Sequence, residues 1–397
     1  MIRDLEQQRI RMAARIGRDD ARMVVSPYRV CPIGAHIDHQ GGPVLGMAIS
    51  AHTLLAFAPT EDGSCRLVSE NYPGEVVFDI AQLGDADPKQ GAHDWGSYAR
   101  GAAALSRDRL PAAARGIEGC VLGTLPGGGL SSSASVTLAY ITALAAANEI
   151  ELEPEHLVDL AQRAEHDWVG VACGMLDQVS IVGARRSHLL FIDTQHACWE
   201  AVAIGEDAPD YRILVAYTGI ERSLAATGFN QRVEECHAAA RMLATRIGVG
   251  DVTRLGDLPE ADLAANLDTL PEVEGKRARH FHEERDRVRR GIAAWREGDL
   301  ESFGALMNDS CRSSRENFET GSPELIRLHE ILASSRGVFG SRFSGGGFGG
   351  CAIALVARNA AEEAAEAAER SFRKAFPALA EDAHCFLVDS DDGVRVL

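Results

Sequence analysis

Lysine is almost missing from this sequence. Only Lys89, Lys276 and Lys374 occur among its 397 residues, so arginine supplies nearly all of the 40 basic side chains, against 58 acidic ones. The formal net charge of -18 argues against a nucleic-acid or anionic-membrane partner. An anionic small molecule has to be held by local donors, because the global field repels it. Paired cysteines are missing too: the nine, from Cys31 to Cys385, are scattered without a CxxC. That excludes a disulfide framework and a thiolate zinc site and fits a reducing cytoplasm. No run of 18 apolar residues occurs, so no membrane span is expected. The N-terminus, MIRDLEQQRIRMAARIGRDD, reads as a charged helical arm rather than a signal peptide.

The length fits two domains or three. The stretch IGEDAPDY (204–211) is the best boundary, which divides the chain into 1–205 and 206–397. Strands are expected at 22–26, 44–50, 53–59, 119–125 and 188–193. Helices are expected at 1–20, 95–107, 134–148 and 154–169. The second half opens on a strand, 212–218, and continues with helices near 229–247, 277–297, 300–318 and 323–334. It closes with two strands around a glycine loop, a helix and a final strand. Strands and helices mix without strict βαβ alternation, so an α+β class is expected.

Two glycine loops carry chemistry. In LPGGGLSSSAS (125–135) three glycines let backbone N–H groups converge on a ligand. A helix follows, and its positive end favours phosphate. The three serines can cap that helix or contact phosphate oxygens and Mg²⁺. A flexible linker is the plain alternative. The loop lacks the GxxxxGKS/T pattern of a Walker loop and the GxGxxG pattern of a dinucleotide fingerprint. The second loop, SGGGFGG (344–350), is weak alone, because such runs often form tight hairpins.

A third stretch, SPYRVCPIGAHIDHQGG (26–42), turns the set into a pattern. RVCPIGAHIDHQGG is similar to the RVNLIGEHTDYNGG signature of galactokinases. PGGGLSSSAS resembles their phosphate loop, AEHDWVGVACGMLDQ a further family segment, and SGGGFGGC their closing GAGFGGC. Over nearly its whole length the chain resembles the GHMP small-molecule kinases. The resemblance implies a two-domain GHMP kinase fold, with an N-terminal domain of ribosomal-protein-S5-like type and a C-terminal α/β sandwich, and an active site between them. It implies ATP-dependent phosphorylation of a monosaccharide at its anomeric hydroxyl, with Mg²⁺. Monomer and dimer both stay open.

By the same resemblance, Pro126, Gly127, Gly128, Gly129, Leu130, Ser131, Ser132 and Ser133 hold ATP. Ser133 and Glu165 hold Mg²⁺, and Trp95 lies near the base. Asp177 takes the proton from the sugar hydroxyl, assisted by Arg29. His36 and Asp38 bind sugar hydroxyls, and Gly174 lets the sugar approach the backbone. The plain alternatives are a helix cap for Asp177, a surface ion pair for Arg29, a solvated glutamate for Glu165 and a core aromatic for Trp95.

The departures cluster around the sugar. Ala35 stands where galactokinases carry Glu, which accepts from the C6 hydroxyl. His39 and Phe229 each stand for a Tyr. A substrate carboxylate at C6 would explain Ala35, since Glu opposite a uronate sets two negative charges side by side. His39 and Arg222 are candidates to hold that carboxylate. The stretch also looks like the galacturonokinase branch, so D-galacturonate is the expected substrate. The alternatives are galactose, another hexose, or a pentose without the C6 group. A non-catalytic sugar sensor is a further alternative, disfavoured by the intact Asp177, Arg29 and serine loop.

Overall fold

The computed structural model describes residues 2–84, 95–220 and 228–397. Helix α1 (Ile2–Ile16) lays Leu5 and Met12 on one face of the first sheet, against Met23, Val25, Leu54 and Ala56. Side chains alternate along a strand, so Val24, Leu55 and Phe57 face the opposite core. Strand β1 (Arg22–Val30) runs antiparallel to β2 (Val44–Thr60), with Arg29 opposite Ala48. Their register shifts between Pro27 and Tyr28. Proline has no N–H for a ladder, and such an irregularity is where a sheet accepts it.

The sheet continues with β3 (Ser64–Ser69) and β4 (Glu75–Asp79). After α2 (Gly96–Ser106), β5 (Gly116–Gly123) pairs antiparallel with β2 and parallel with β3. Helices α3 (Ser132–Ala147) and α4 (Pro154–Ala164) cover the inner face. Helix α5 (Leu176–Gly183) leads to β6 (His188–Asp193), on the first residues of β2, and to β7 (Cys198–Ala203).

The second half runs β8 (Tyr211–Tyr217), α6 (Phe229–Ile247), α7 (Glu260–Asn266), α8 (Glu272–Glu297), α9 (Leu300–Glu316), α10 (Pro323–Ala333), β9 (Val338–Phe343), β10 (Cys351–Ala357), α11 (Ala361–Ala375), β11 (His384–Val388) and β12 (Arg395–Val396). The second sheet has the order β11-β8-β10-β9. Leu214 and Ala354 pack beneath α10 and α11, with Leu328, Leu332 and Phe372. The other face, Ile213, Val215, Ile353 and Leu355, meets Tyr28, Met47 and Ile49 of the first sheet, with Trp295 and Phe303 between. One apolar core therefore joins both sheets. Asp299 caps α9 by accepting from the Ser302 amide at 2.9 Å, and α8 stops at Gly298, which takes a left-handed φ of 73°.

The α+β expectation holds: the first sheet is antiparallel except for β3 against β5. Several details differ. The strands expected at 44–50 and 53–59 are one continuous strand, and β3, β4, β7, α5 and α7 escaped the sequence reading. These are short elements whose apolar patterns are weak; β7 exposes most of its residues. The tail also crosses the 205/206 division, because β12 pairs with β1, Val396 opposite Val24.

A buried charge fastens this tail. Asp391 accepts from His52 Nε2 at 2.7 Å and from Arg395 at 3.1 Å, and pairs with Arg186. These partners hold its carboxyl well below the usual range against the cost of burial. His52 in turn exchanges backbone and side-chain bonds with Thr124, just before the first glycine loop. Asp391→Asn is expected to cost about 3 kcal/mol at pH 7, the lower end for breaking a buried pair, because the two arginines keep some solvent. A folded pKa below the unfolded value of about 4 gives stability that is present above pH 4 and lost on acidification. Urea midpoints should therefore separate wild type from Asp391→Asn by a constant amount above pH 4, with the gap narrowing progressively as the pH falls below it. A gap that stays constant below pH 4 as well would refute the assignment.

Candidate active site

Arg29 lies near the end of β1 with its side chain buried. Its Nε and Nη2 both approach Asp177 Oδ1 at 2.8 Å. Its Nη1 donates to the Gly129 carbonyl at 3.1 Å and reaches Ser344 Oγ at 3.5 Å. Its backbone N–H donates to the Leu130 carbonyl at 3.1 Å. One residue thus ties the sheet to both glycine loops and to the carboxylate at the start of α5. This is not the surface ion pair of the plain alternative.

The phosphate loop is pinned from below. Leu130 is fully buried, and its amide donates back to the Gly127 carbonyl at 3.0 Å. Gly129 has φ 84°, and a Cβ there would sit 2.6 Å from the Ser344 carbonyl. The second glycine loop therefore presses directly on the first, and only glycine suits that contact. Ser131 was expected to cap the helix or touch phosphate. It occupies the N-cap position of α3 in a left-handed conformation, φ 57°, and makes no capping bond. Its hydroxyl donates to Asp177 Oδ2 instead. Asp177 is then held on both oxygens, by Arg29 and Ser131, and remains about one-fifth exposed.

Segment 165–175 folds unexpectedly. Helix α4 gives way to a π-helical turn, Glu165–Val169, which ends at Gly170 with φ 78°. Such widened turns recur at functional sites. Here the turn buries Glu165, whose Oε2 accepts from Gln178 Nε2 at 2.6 Å and Cys173 Sγ at 3.4 Å. The solvated-glutamate alternative does not hold. Burial pushes its carboxyl up to about 7, with the Asp177 charge adding to the effect and Ser133 and Cys173 opposing it. Asp38 behaves alike: burial and then Asp177 push it up to about 6, although the Leu176 amide donates to it at 3.3 Å. Gly174 abuts the Asp38 carboxylate so closely that any Cβ would collide with it.

Asp177 thus pairs with the guanidinium, while two further carboxylates, Asp38 and Glu165, are drawn towards neutrality. Glu165 and the neighbouring Ser133 hydroxyl are the donors here that could hold a cation with a preference for oxygen ligands. Among the described residues no group of three or more His, Cys, Asp or Glu could hold a metal alone.

The sugar-side residues gather in an aromatic pocket. Ala35 is buried among apolar neighbours, and its carbonyl accepts from His280 Nε2 at 2.9 Å. His36 stacks on Phe318 at 4.4 Å, with the two ring planes nearly parallel. His39 meets Phe229 edge-on at 5.9 Å. Burial keeps His36 well below its usual pKa and pushes His39 down to about 3. A cavity of about 600 Å³ opens beside Asp38, His39 and Gly174. Glu284 of α8 anchors the turn from behind, accepting from the Gly34 amide at 2.7 Å and from Arg287 Nε at 2.6 Å.

Trp95 stands apart. It packs against the core of the first sheet at the N-terminal end of α2, among the contacts of a core aromatic. Arg222 falls outside the described residues. Sequence reasoning missed Gln178, although it sits inside the quoted GMLDQ. It also missed Ser344, His280, Glu284 and Phe318. The i, i+4 spacing of His280 and Glu284 puts both on one face of α8, but nothing in an arginine-rich helix marked that face.

Comparison with known proteins gives a consistent result. The description "GHMP kinases N terminal domain" matches residues 97–184, "GHMP kinases C terminal" matches 292–376, and "Galactokinase galactose-binding signature" matches 13–59. A galacturonokinase of Arabidopsis thaliana is 37% identical over 96% of this chain and 95% of its own length. A galactokinase of Roseiflexus sp. (strain RS-1) is 35% identical, covering 86% of this chain and 84% of its own. The crystal structure of Lactococcus lactis galactokinase complexed with galactose superposes with a TM-score of 0.88 at 29% identity, over all of both chains. The mevalonate kinase of Methanococcus jannaschii shares the fold at a TM-score of 0.64 and 19% identity, over 94% of this chain and all of its own.

Proposed function

This chain belongs to the GHMP kinase family, among its galactokinase-like sugar 1-kinases, and we propose that it converts D-galacturonate and ATP to α-D-galacturonate 1-phosphate and ADP. The observation that carries the substrate reading is Ala35, a buried methyl in the turn where galactokinases place a glutamate. The galacturonokinase relative supports the same reading.

Phosphoryl transfer asks for positioning and charge neutralisation more than for covalent chemistry. The Gly127–Gly129 backbone and the N-terminal end of α3 would cradle the triphosphate. Ser133 and Glu165 would hold a Mg²⁺ ion, which would supply charge neutralisation when bound. Asp177 would accept the proton of the anomeric hydroxyl on the oxygen now shared with Ser131. Arg29 would offset the negative charge that develops on the attacking oxygen. Its bond to the Gly129 carbonyl keeps base and phosphate loop at a fixed spacing. Asp38 would hold two ring hydroxyls, and Gly174 leaves it the space to do so.

The galactose-binding signature over 13–59 favours a second reading, galactose itself. Rates of ADP release with galacturonate, glucuronate, galactose and arabinose separate the two. Galacturonate should lead in kcat/KM by at least about tenfold, roughly 1.4 kcal/mol of discrimination. A tenfold lead for galactose would overturn the galacturonate reading.

A further inference from the structure

Two buried imidazole nitrogens near the cavity have no hydrogen-bond partner, and one of them belongs to His39, which lines it. They are His39 Nε2 and His36 Nε2. The protonation of His39 can be read from its neighbours. Gln40 Oε1 accepts from the Leu255 amide at 3.2 Å, which turns Gln40 Nε2, a donor, towards His39 Nδ1 at 3.0 Å. Nδ1 is therefore the acceptor of the neutral ring, and Nε2 carries the proton. It is an N–H bond enclosed in protein with no acceptor. Such groups are rare in folded proteins and call for an explanation. A bound ligand supplies one.

Both rings flank Phe229, with centroids at 6.4 Å for His36 and 5.9 Å for His39. Phe229 has no hydroxyl to satisfy either nitrogen. Ala35, next to His36, offers only a methyl group. Burial first, and then His280, Arg342, His39 and Arg29, hold His36 well below its usual pKa, so its ring is neutral. Glu284, the nearest acid on α8, is already engaged by Arg287, Ser310 and the Gly34 amide. His39 thus offers a hydrogen-bond donor beside the cavity, and the neutral His36 ring adds a nitrogen that either donates or accepts. A hydroxyl would satisfy one nitrogen; a carboxylate has an oxygen for each.

We propose that His39 and His36 form a two-imidazole clamp for the carboxylate of a uronic acid, each donating Nε2–H to one oxygen. The clamp rests on the galacturonate reading above and names the groups that produce it. It makes His39 a specificity-determining residue. The ion pair does not need to form, because neutral imidazoles donate as they stand.

Calorimetric Kd values for galacturonate and galactose test the clamp, on wild type, His39→Leu, His39→Gln and His36→Gln. Leucine removes the donor, whereas glutamine returns an amide N–H near the position of Nε2. His39→Leu should weaken galacturonate at least tenfold more than galactose. His39→Gln and His36→Gln should fall between wild type and that loss. Should His39→Leu fail to fold, the two glutamine variants carry the comparison through the same galacturonate-to-galactose ratio. Equal weakening of both sugars, or an unchanged galacturonate Kd, overturns the clamp and leaves the substrate reading standing. A wild-type protein that binds galactose tenfold more tightly overturns the substrate reading instead.

Discussion

Asp177→Asn should lower kcat by about 10²–10⁴-fold, the range for removing a positioned general base, with KM for sugar and ATP changed less than about threefold. The substitution is nearly isosteric. The introduced amide would still receive Arg29 on its carbonyl oxygen and could stay near Ser131, so the site keeps its shape and loses a proton acceptor. The residual rate would come from the glycine loops and Arg29, which position the phosphate independently. Arg29 is buried and would lose its counter-charge, so a lower Tm is expected alongside the lower rate. Its bonds to the Gly129 carbonyl and Ser344 limit that cost. Steady-state kinetics with both substrates, next to a thermal melt, separate the two effects. Undiminished turnover in a folded variant would remove Asp177 from the proton-transfer role.

The same variant bears on the two raised carboxylates. Asp177 contributes to pushing Asp38 up to about 6 and Glu165 up to about 7. Neutralising it should lower both, because a like charge no longer opposes their ionisation. Three acids arranged in this way explain why the sequence could be read for chemistry more easily than for structure. Each belongs to a short stretch of unusual composition, and glycine, serine and acid at fixed spacing imply a phosphate and a cation. The physics that joins these stretches is long-range. Arg29 meets Ser344 across most of the chain, and Gly129 fits beneath a carbonyl of the second loop. No local pattern encodes either contact. The π-helical turn at Glu165 is equally silent, since no local pattern in EHDWV separates a widened turn from an ordinary one. The serine loop shows the converse. Its capping pattern was legible, yet Ser131 gives its hydroxyl to Asp177 and leaves the helix uncapped. A strained, uncapped helix end is a poor choice for stability alone and a good one for holding a ligand.

Ala35→Glu should then separate the two sugars. Its side chain would enter a buried pocket bordered by His36, and its carboxylate would face the C6 group. Two like charges about 4 Å apart at an effective dielectric near 20 repel by about 4 kcal/mol, and solvent and rearrangement reduce this. A loss of at least about 100-fold in kcat/KM for galacturonate is expected, roughly 2.7 kcal/mol. The new carboxylate would also take an unpartnered imidazole N–H, and so compete with the substrate for the same donor. Galactose has no charge at C6 and can donate its hydroxyl to that glutamate. Its kcat/KM should fall much less, or rise. The extra volume is the control built into this experiment, because crowding near Phe318 and Cys31 would harm both sugars alike. Equal losses on galacturonate and galactose would mean that position 35 fills space and does not read C6. A selective loss would place the substrate's negative charge beside a residue that has no polar side chain to meet it, and would leave the neighbouring imidazoles as its donors.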